Sequence, residues 1–440
     1  MRAVAAVIAA AMTAVFLLCG CESLTFNVSD LLTAPSIADE QAEVYNALIS
    51  SVGRPISLCY PRSGDYPSAF VLFDIDGDGL EEAICFYTYS QAVEPVVMLS
   101  VLDKPDGESW QSVCTLEGRG EAVDKVMLAD YGGIIDIIIG YETPSYDENN
   151  VSIYRCSQTG VLSSIFDGAY ALMDCVDLDG CGTKEIVMLK KEGSTASVRV
   201  IKTGNGVSYD IKERTLSLST QSIVGFCFGG MTEDTDAVFV DILDTSGVMY
   251  THVFYMMKGE ILSPTLDTTG MYQLTSRYTA LRSVDYDSDG IVEIPVSTPF
   301  LGYYSVPSSR TEYMTSWMHY DSGIGVFIIE SATYYSEDMG VAFRIPGRWQ
   351  NLVTVLHDDD PGQVTFCQYD IEAGSVDDMP RLMTLAAVPA DESESYIESG
   401  YSYVKGDGVM AFLSKNLASE GEPMLLTQDE ISDNIFHVIP

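Results

Sequence analysis

A mainly β chain built from repeated four-stranded units, ending in a small α+β domain, is the architecture this sequence predicts. Three observations predict it. An acidic nine-residue loop recurs about every 50 residues, apolar strand-like runs flank its copies, and after Glu293 the loops stop and the patterning changes. The chain divides accordingly into residues 1–20, 21–38, 39–331 and 332–440.

The totals limit what such a chain can do. Of its 440 residues, 47% are hydrophobic and 10% aromatic, enough for buried cores and too much for global disorder. Acids outnumber bases 64 to 23, a formal charge of −41, and such a surface repels phosphate backbones. Nucleic acid is therefore not an expected partner. Most of these carboxylates belong on solvated faces, and the clustered ones point to metal cations. The ten cysteines include no CxxC pair, which argues against zinc and thioredoxin-type chemistry. Several, including Cys85 and Cys227, sit in apolar runs, where a free thiol acts as a small hydrophobe.

At the N-terminus, Arg2 precedes an apolar stretch of 16 residues, 3–18, interrupted by Thr13. That length suits a signal-peptide hydrophobic region and falls short of the roughly 20 residues of a membrane span. The stretch runs into Leu18, Cys19, Gly20 and Cys21, which resembles the lipobox of bacterial lipoproteins, with Cys19 a less usual occupant of its place. The resemblance implies removal of residues 1–20, lipidation of Cys21, and an extracytoplasmic protein anchored to the bacterial cell membrane. Residues 22–37 show no sustained periodicity and read as a tether. Apolar Val44, Tyr45, Leu48 and Val52 then mark a short amphipathic helix over residues 39–52.

The repeat follows. Its fullest copies carry Asp74, Asp76, Asp78, Gly79 and Glu82, and Asp285, Asp287, Asp289, Gly290 and Glu293. A third has Asp177, Asp179, Cys181, Gly182 and Glu185; weaker copies end at Asp136 and Asp236. The last acids lie 54, 49, 51 and 57 residues apart, the length of one four-stranded antiparallel blade, so the region 39–331 reads as a β-propeller of five to seven blades. The loop chemistry is that of a hard cation, because calcium takes six to eight oxygens at about 2.3–2.6 Å. Acids at positions one, three, five and nine, with the carbonyls of Leu80 and Ile291 at position seven, would make two such shells. Glycine at position six supplies the positive φ of the turn. Cys181 puts a soft thiol where the third loop needs an acid, so Asp177, Asp179 and Glu185 form a doubtful site. Copies two and four are expected to keep their strands around metal-free turns.

These loops resemble the FG-GAP and VCBS repeats of bacterial surface proteins and integrin α-subunit propellers, in which DxDxDGxxD joins two strands and binds calcium. The resemblance covers roughly residues 55–330 and implies a calcium-stabilised propeller. Beyond it, strands are expected over residues 364–368, 382–388 and 409–413, a helix over 393–403, and a capping box at Thr427 and Glu430. The opening of this part, residues 343–349, resembles PsbP-like extracytoplasmic domains without carrying over any functional residue.

No HExxH, GxSxG, Walker A or GxGxxG motif occurs, and the histidines number four. His357 with Asp358, Asp359 and Asp360 reads as a solvated turn, and Trp110, Trp317 and Trp349 as core. The functional expectation is a non-catalytic binding module for a protein or glycan. Its alternatives are a polysaccharide- or cell-wall-active lyase or hydrolase, and an accessory lipoprotein of a membrane transporter or sensor.

Overall fold

The computed structural model describes residues 39–105, 107–130, 133–144, 148–157, 160–203, 209–217, 221–305, 311–336, 341–357, 362–406, 408–419 and 421–437. The leader, Cys21, the tether and Asp358 to Asp360 lie outside the described residues. The helix expected over 39–52 forms as Asp39–Val52.

Five sheets then follow in chain order, antiparallel apart from Ser63–Gly64, which pairs parallel with Ala122–Asp130. The first contains Phe70–Phe73, Glu82–Tyr89, Met98–Asp103 and Gln111–Glu117; the second, Ala122–Asp130, Ile135–Glu142, Asn149–Cys156 and Leu162–Tyr170. The third contains Leu172–Val176, Glu185–Glu192, Thr195–Thr203 and Tyr209–Ser217; the fourth, Gln221–Thr232, Thr235–Asp244, Met249–Met257 and Glu260–Leu262. In the fifth, a single bridge between Val284 and Glu293 replaces the first strand, and Ile294–Pro299, Tyr313–Asp321 and Val326–Ser336 complete the unit. Every acidic loop connects first and second strands, as strand-like flanks require.

Strand periodicity explains how the sheets stack. Successive side chains point to opposite faces, so a sheet between two others must be apolar on both. Ile137 and Ile139 pack toward the first sheet with Ile84 and Phe86, while Ile138 packs toward the third with Ile186 and Met188. Val187 and Leu189 meet Val238 and Val240 of the fourth sheet, whose Ala237 and Phe239 meet Ile294 and Met318 of the fifth. This two-sided burial is why the second strands read as near-continuous apolar runs. Each fully buried Ile or Leu contributes about 1.5–3 kcal/mol.

The two ends are finished differently. Helix Asp39–Val52 covers the outer face of the first sheet through Val44 and Leu48, packed on Phe70, Cys85 and Tyr87. On the fifth sheet, Trp317 is fully buried under Tyr286, with ring centroids 4.6 Å apart, and its indole donates to Thr333 at 3.0 Å. Among the described residues, no apolar cluster joins the first sheet to the fifth.

The C-terminal part grows directly from the fifth sheet. The first half of Val326–Ser336 pairs with Tyr313–Asp321, and its second half with Val341–Arg344, which in turn pairs with Ile435–His437. A sixth sheet, spanning Val353–Leu356, Gln363–Gln368, Arg381–Pro389, Met410–Asn416 and Ser402–Gly406, packs against that end around Phe343, Trp349, Phe366 and Phe412. The capping box at Thr427 forms and starts helix Gln428–Asn434. The expected helix over 393–403 is cut short. It spans Ser393–Glu398 and gives way at Gly400, where φ is +92°, after which Ser402–Gly406 joins the sheet.

Candidate metal centres

In each acidic loop the first carboxylate turns inward and accepts backbone amides. Asp74 accepts from Gly77 and Gly79 at 2.7 and 3.0 Å, Asp177 from Cys181 and Gly182 at 3.0 and 2.7 Å, and Asp285 from Asp289 and Gly290 at 3.1 and 3.0 Å. These bonds wrap the chain into a turn, and Gly79, Gly182 and Gly290 supply the left-handed backbone at position six, with φ of 90°, 84° and 94°. Position four is left-handed as well. Gly77 and Gly180 occupy it without strain, whereas the fifth sheet places Ser288 there at φ 65°.

The last acid closes the loop from the base. Glu82, Glu185 and Glu293 are fully buried, and one oxygen of each, Oε2, accepts the amide of loop position two: Ile75 at 2.8 Å, Leu178 at 2.9 Å and Tyr286 at 3.1 Å. The second oxygen is the informative one. Glu82 Oε1, Glu185 Oε1 and Glu293 Oε1 are all buried without a hydrogen-bond partner, and of the three Glu185 Oε1 has an ion-pair contact, Lys202 Nζ at 3.2 Å. An unpaired buried polar atom costs about 1–3 kcal/mol, and more when charged. Burial pushes the Glu82 carboxyl up to about 7, with Asp76, Asp103 and Asp78 adding repulsion. Burial likewise pushes Glu293 up to about 8, helped by Asp287, Glu330 and Asp289.

The three outer acids of the first and fifth loops gather, and the last acid of each stands outside that group. One ligand oxygen from each of Asp74, Asp76 and Asp78 lies within 4.8 Å of the others, and the same holds for Asp285, Asp287 and Asp289. Asp289 also groups with Glu293 and Glu330, and Asp177 and Asp179 with Cys181 and Glu185. The amides of Leu80 and Ile291 donate to Asp78 and Asp289, each at 2.8 Å, and nothing further fixes the part their carbonyls play. Orphaned carboxylate oxygens at the base of an acid-lined turn fit a hard, oxygen-seeking cation, calcium rather than a thiol-preferring metal.

What distinguishes the loops stands across the sheet, on the third strand, opposite the last acid. In the second sheet Asp136 pairs in register with Arg155, whose guanidinium grips the buried carboxylate through two bonds of 2.7 and 2.9 Å. In the third sheet the position beyond the Ile186–Ile201 pair is Lys202. Its ammonium contacts Asp179, lies 3.2 Å from Glu185 Oε1 and 3.3 Å from Cys181 Sγ. Burial alone would raise Asp179, yet its bonds to Cys181 and Lys202 hold it below the usual carboxylate range. In the first sheet the equivalent position, beyond Ala83–Leu102, is Asp103, whose Oδ1 is buried and unpartnered. In the fifth, beyond Ile294–Met318, it is His319, which lies 2.6 Å from Glu330. Sequence reasoning missed Asp103, Arg155, Lys202 and Glu330, because they lie outside the loops. The fourth loop, ending at Asp236, forms a short turn with no acidic cluster among the described residues.

A separate cavity of about 430 Å³ opens among the first strands of sheets two to four, lined by Asp124, Lys125, Asn149, Tyr170, Asp174 and Phe226, among others. Its polar groups are already engaged. Tyr170 donates to Asp124, and Lys125 donates to the Met173 carbonyl at 2.9 Å. Burial pushes the neighbouring Cys227 thiol up to about 12, so it is no nucleophile at neutral pH. His252 is buried and neutral, pushed down to about 4, and bonded to the Thr265 hydroxyl at 3.0 Å. Trp317 and Trp349 are wholly core residues and Trp110 nearly so. The eight cysteines among the described residues are free thiols.

No protein-family model and no curated protein matches this chain. Solved structures of slight likeness include two at 9% identity. A periplasmic gluconolactonase of Pseudomonas aeruginosa aligns over 73% of this chain and 86% of its own, with a TM-score of 0.26. A GH32 β-fructofuranosidase of Bombyx mori aligns over 81% and 76%, with a TM-score of 0.24. Neither likeness carries a functional argument.

Proposed function

We propose that this chain is a membrane-anchored, extracytoplasmic lipoprotein that presents a calcium-braced array of propeller-type blades as a non-catalytic binding module. The supporting observation is the set of buried, unpartnered oxygens, Glu82 Oε1, Asp103 Oδ1 and Glu293 Oε1, at the base of acid-lined turns. Calcium bound to the first and fifth loops would neutralise them and tie first strand to second in both sheets. Anchoring rests on the leader and on Cys21. The test is the melting temperature of the purified protein in calcium and in chelator. Calcium at 100 times its dissociation constant adds about 2.7 kcal/mol per site. A calcium-dependent rise that disappears in Asp76→Ala/Asp287→Ala supports the reading, and an unchanged melting temperature from micromolar to millimolar calcium ends it. Lipidation is checked separately, by loss of metabolic lipid labelling in Cys21→Ser.

The cavity beside Asp124, Lys125 and Asp174 favours a second reading, a carbohydrate-active lyase or hydrolase, because two acids and a base converge there. Turnover of a polysaccharide that Asp124→Asn abolishes would establish it over the binding module.

A further inference from the structure

Resting on the calcium reading of the first and fifth loops, we propose that Lys202 is the resident cation of the third loop. In that role it fills the place of a metal ion, and loss of its ammonium opens a third calcium site. Apart from Cys181 at position five, the third loop is built like its counterparts. Asp177 wraps the turn, Gly180 and Gly182 take the left-handed backbone, and buried Glu185 accepts the Leu178 amide. Four potential ligand atoms, from Asp177, Asp179, Cys181 and Glu185, lie within 4.8 Å of one another. The Lys202 ammonium reaches three of these residues, at motif positions three, five and nine. A calcium ion would have to lie about 2.3–2.6 Å from the same Asp179 and Glu185 oxygens. Two cations cannot share that space, so the lysine excludes the metal.

The neighbouring sheets make this a rule of one position. Opposite the last acid, Arg155 neutralises Asp136 in a loop stripped of other ligands, whereas Asp103 adds a further carboxylate to the loop of Glu82. Where this third-strand residue is Arg155 or Lys202 the loop therefore takes its cation from the chain, and where it is Asp103 or His319 the loop is left to take one from solution. Cys181 weakens the third loop as a metal site, and Lys202 closes it.

The experiment counts calcium ions on the full chain in detergent, stripped of metal, by titration calorimetry and by terbium luminescence, alongside melting temperatures in calcium and in chelator. The wild type is expected to bind two ions, Lys202→Met three and Asp103→Lys one. Lys202→Met should melt below the wild type in chelator and gain more from calcium than the wild type does. A Lys202→Met protein that binds two ions and gains no more than the wild type overturns the inference while leaving the calcium reading standing. A wild type that binds none overturns both. Should Lys202→Met fail to fold, Asp103→Lys decides: one ion supports the rule and two overturn it.

Discussion

The first and third acidic loops share a left-handed turn, an inward first aspartate and a buried glutamate, and differ at position five, Asp78 against Cys181, and in one cross-strand residue. Opposite Glu185 the chain places an ammonium, and opposite Glu82 a carboxylate. The third loop carries its own ammonium, which pairs with two of its three carboxylates. The first is a cluster of acids whose folding is opposed until something positive arrives. The same turn thus holds a lysine ammonium among its acids in one sheet and only further acids in another, where we propose that an ion binds. The ligand motif alone does not tell them apart.

Several measurements would break or sharpen that contrast. The largest effect is expected from Arg155→Met, which leaves Asp136 buried without its partner and should cost about 3–5 kcal/mol. Chemical denaturation should show this loss equally in calcium and in chelator; a calcium-dependent loss would mean that the second loop binds metal after all. Glu82→Gln and Glu293→Gln should act in the opposite direction in chelator, each stabilising the chain at pH 8 by about 1–2 kcal/mol through removal of an uncompensated charge. In calcium the same variants should be less stable than the wild type, so the sign of the change should reverse between the two buffers.

A pH series in chelator should follow the same groups. Their folded values, about 7 for Glu82 and about 8 for Glu293, lie above the usual 4.5. Between those limits the folded state holds protons that the unfolded state has released, so stability falls as pH rises from about 4.5 to 8. Calcium should flatten this slope by competing with the protons; an identical slope with calcium would place the metal elsewhere. The smallest expected effect is Ser288→Gly, which relieves a left-handed serine and should add about 0.5–1 kcal/mol, read from thermal melts.

Much of this was legible from the residues. The loop glycines, the position-one and position-nine acids, the alternation of apolar residues in the second strands, and the Thr427 capping box are local signals, and each element formed where its pattern lies. The third-strand partners are not local. Arg155 follows its acid by 19 residues, Lys202 by 17 and Asp103 by 21, and these offsets vary with hairpin length. Only the register, set by backbone pairing, shows that they occupy one position. The shortened helix at Ser393–Glu398 failed for a related reason: local helix pattern was overruled by pairing of Ser402–Gly406 with the neighbouring strand. The left-handed Ser288 had no sequence signal, since serine seldom marks such a position.

The capped ends of the row have a consequence for how this architecture can vary. A closed ring fixes its number of members, because adding one changes the angle at every interface. Here Val44 and Leu48 cover the first sheet, the C-terminal part packs on the fifth, and each sheet between them meets its two neighbours. Stability in such a row is close to a sum of unit and nearest-neighbour contributions. A duplicated unit of about 50 residues could therefore be spliced into the middle, or one deleted, while both terminal caps stayed in place. A variant lacking the third sheet is a reasonable object to build.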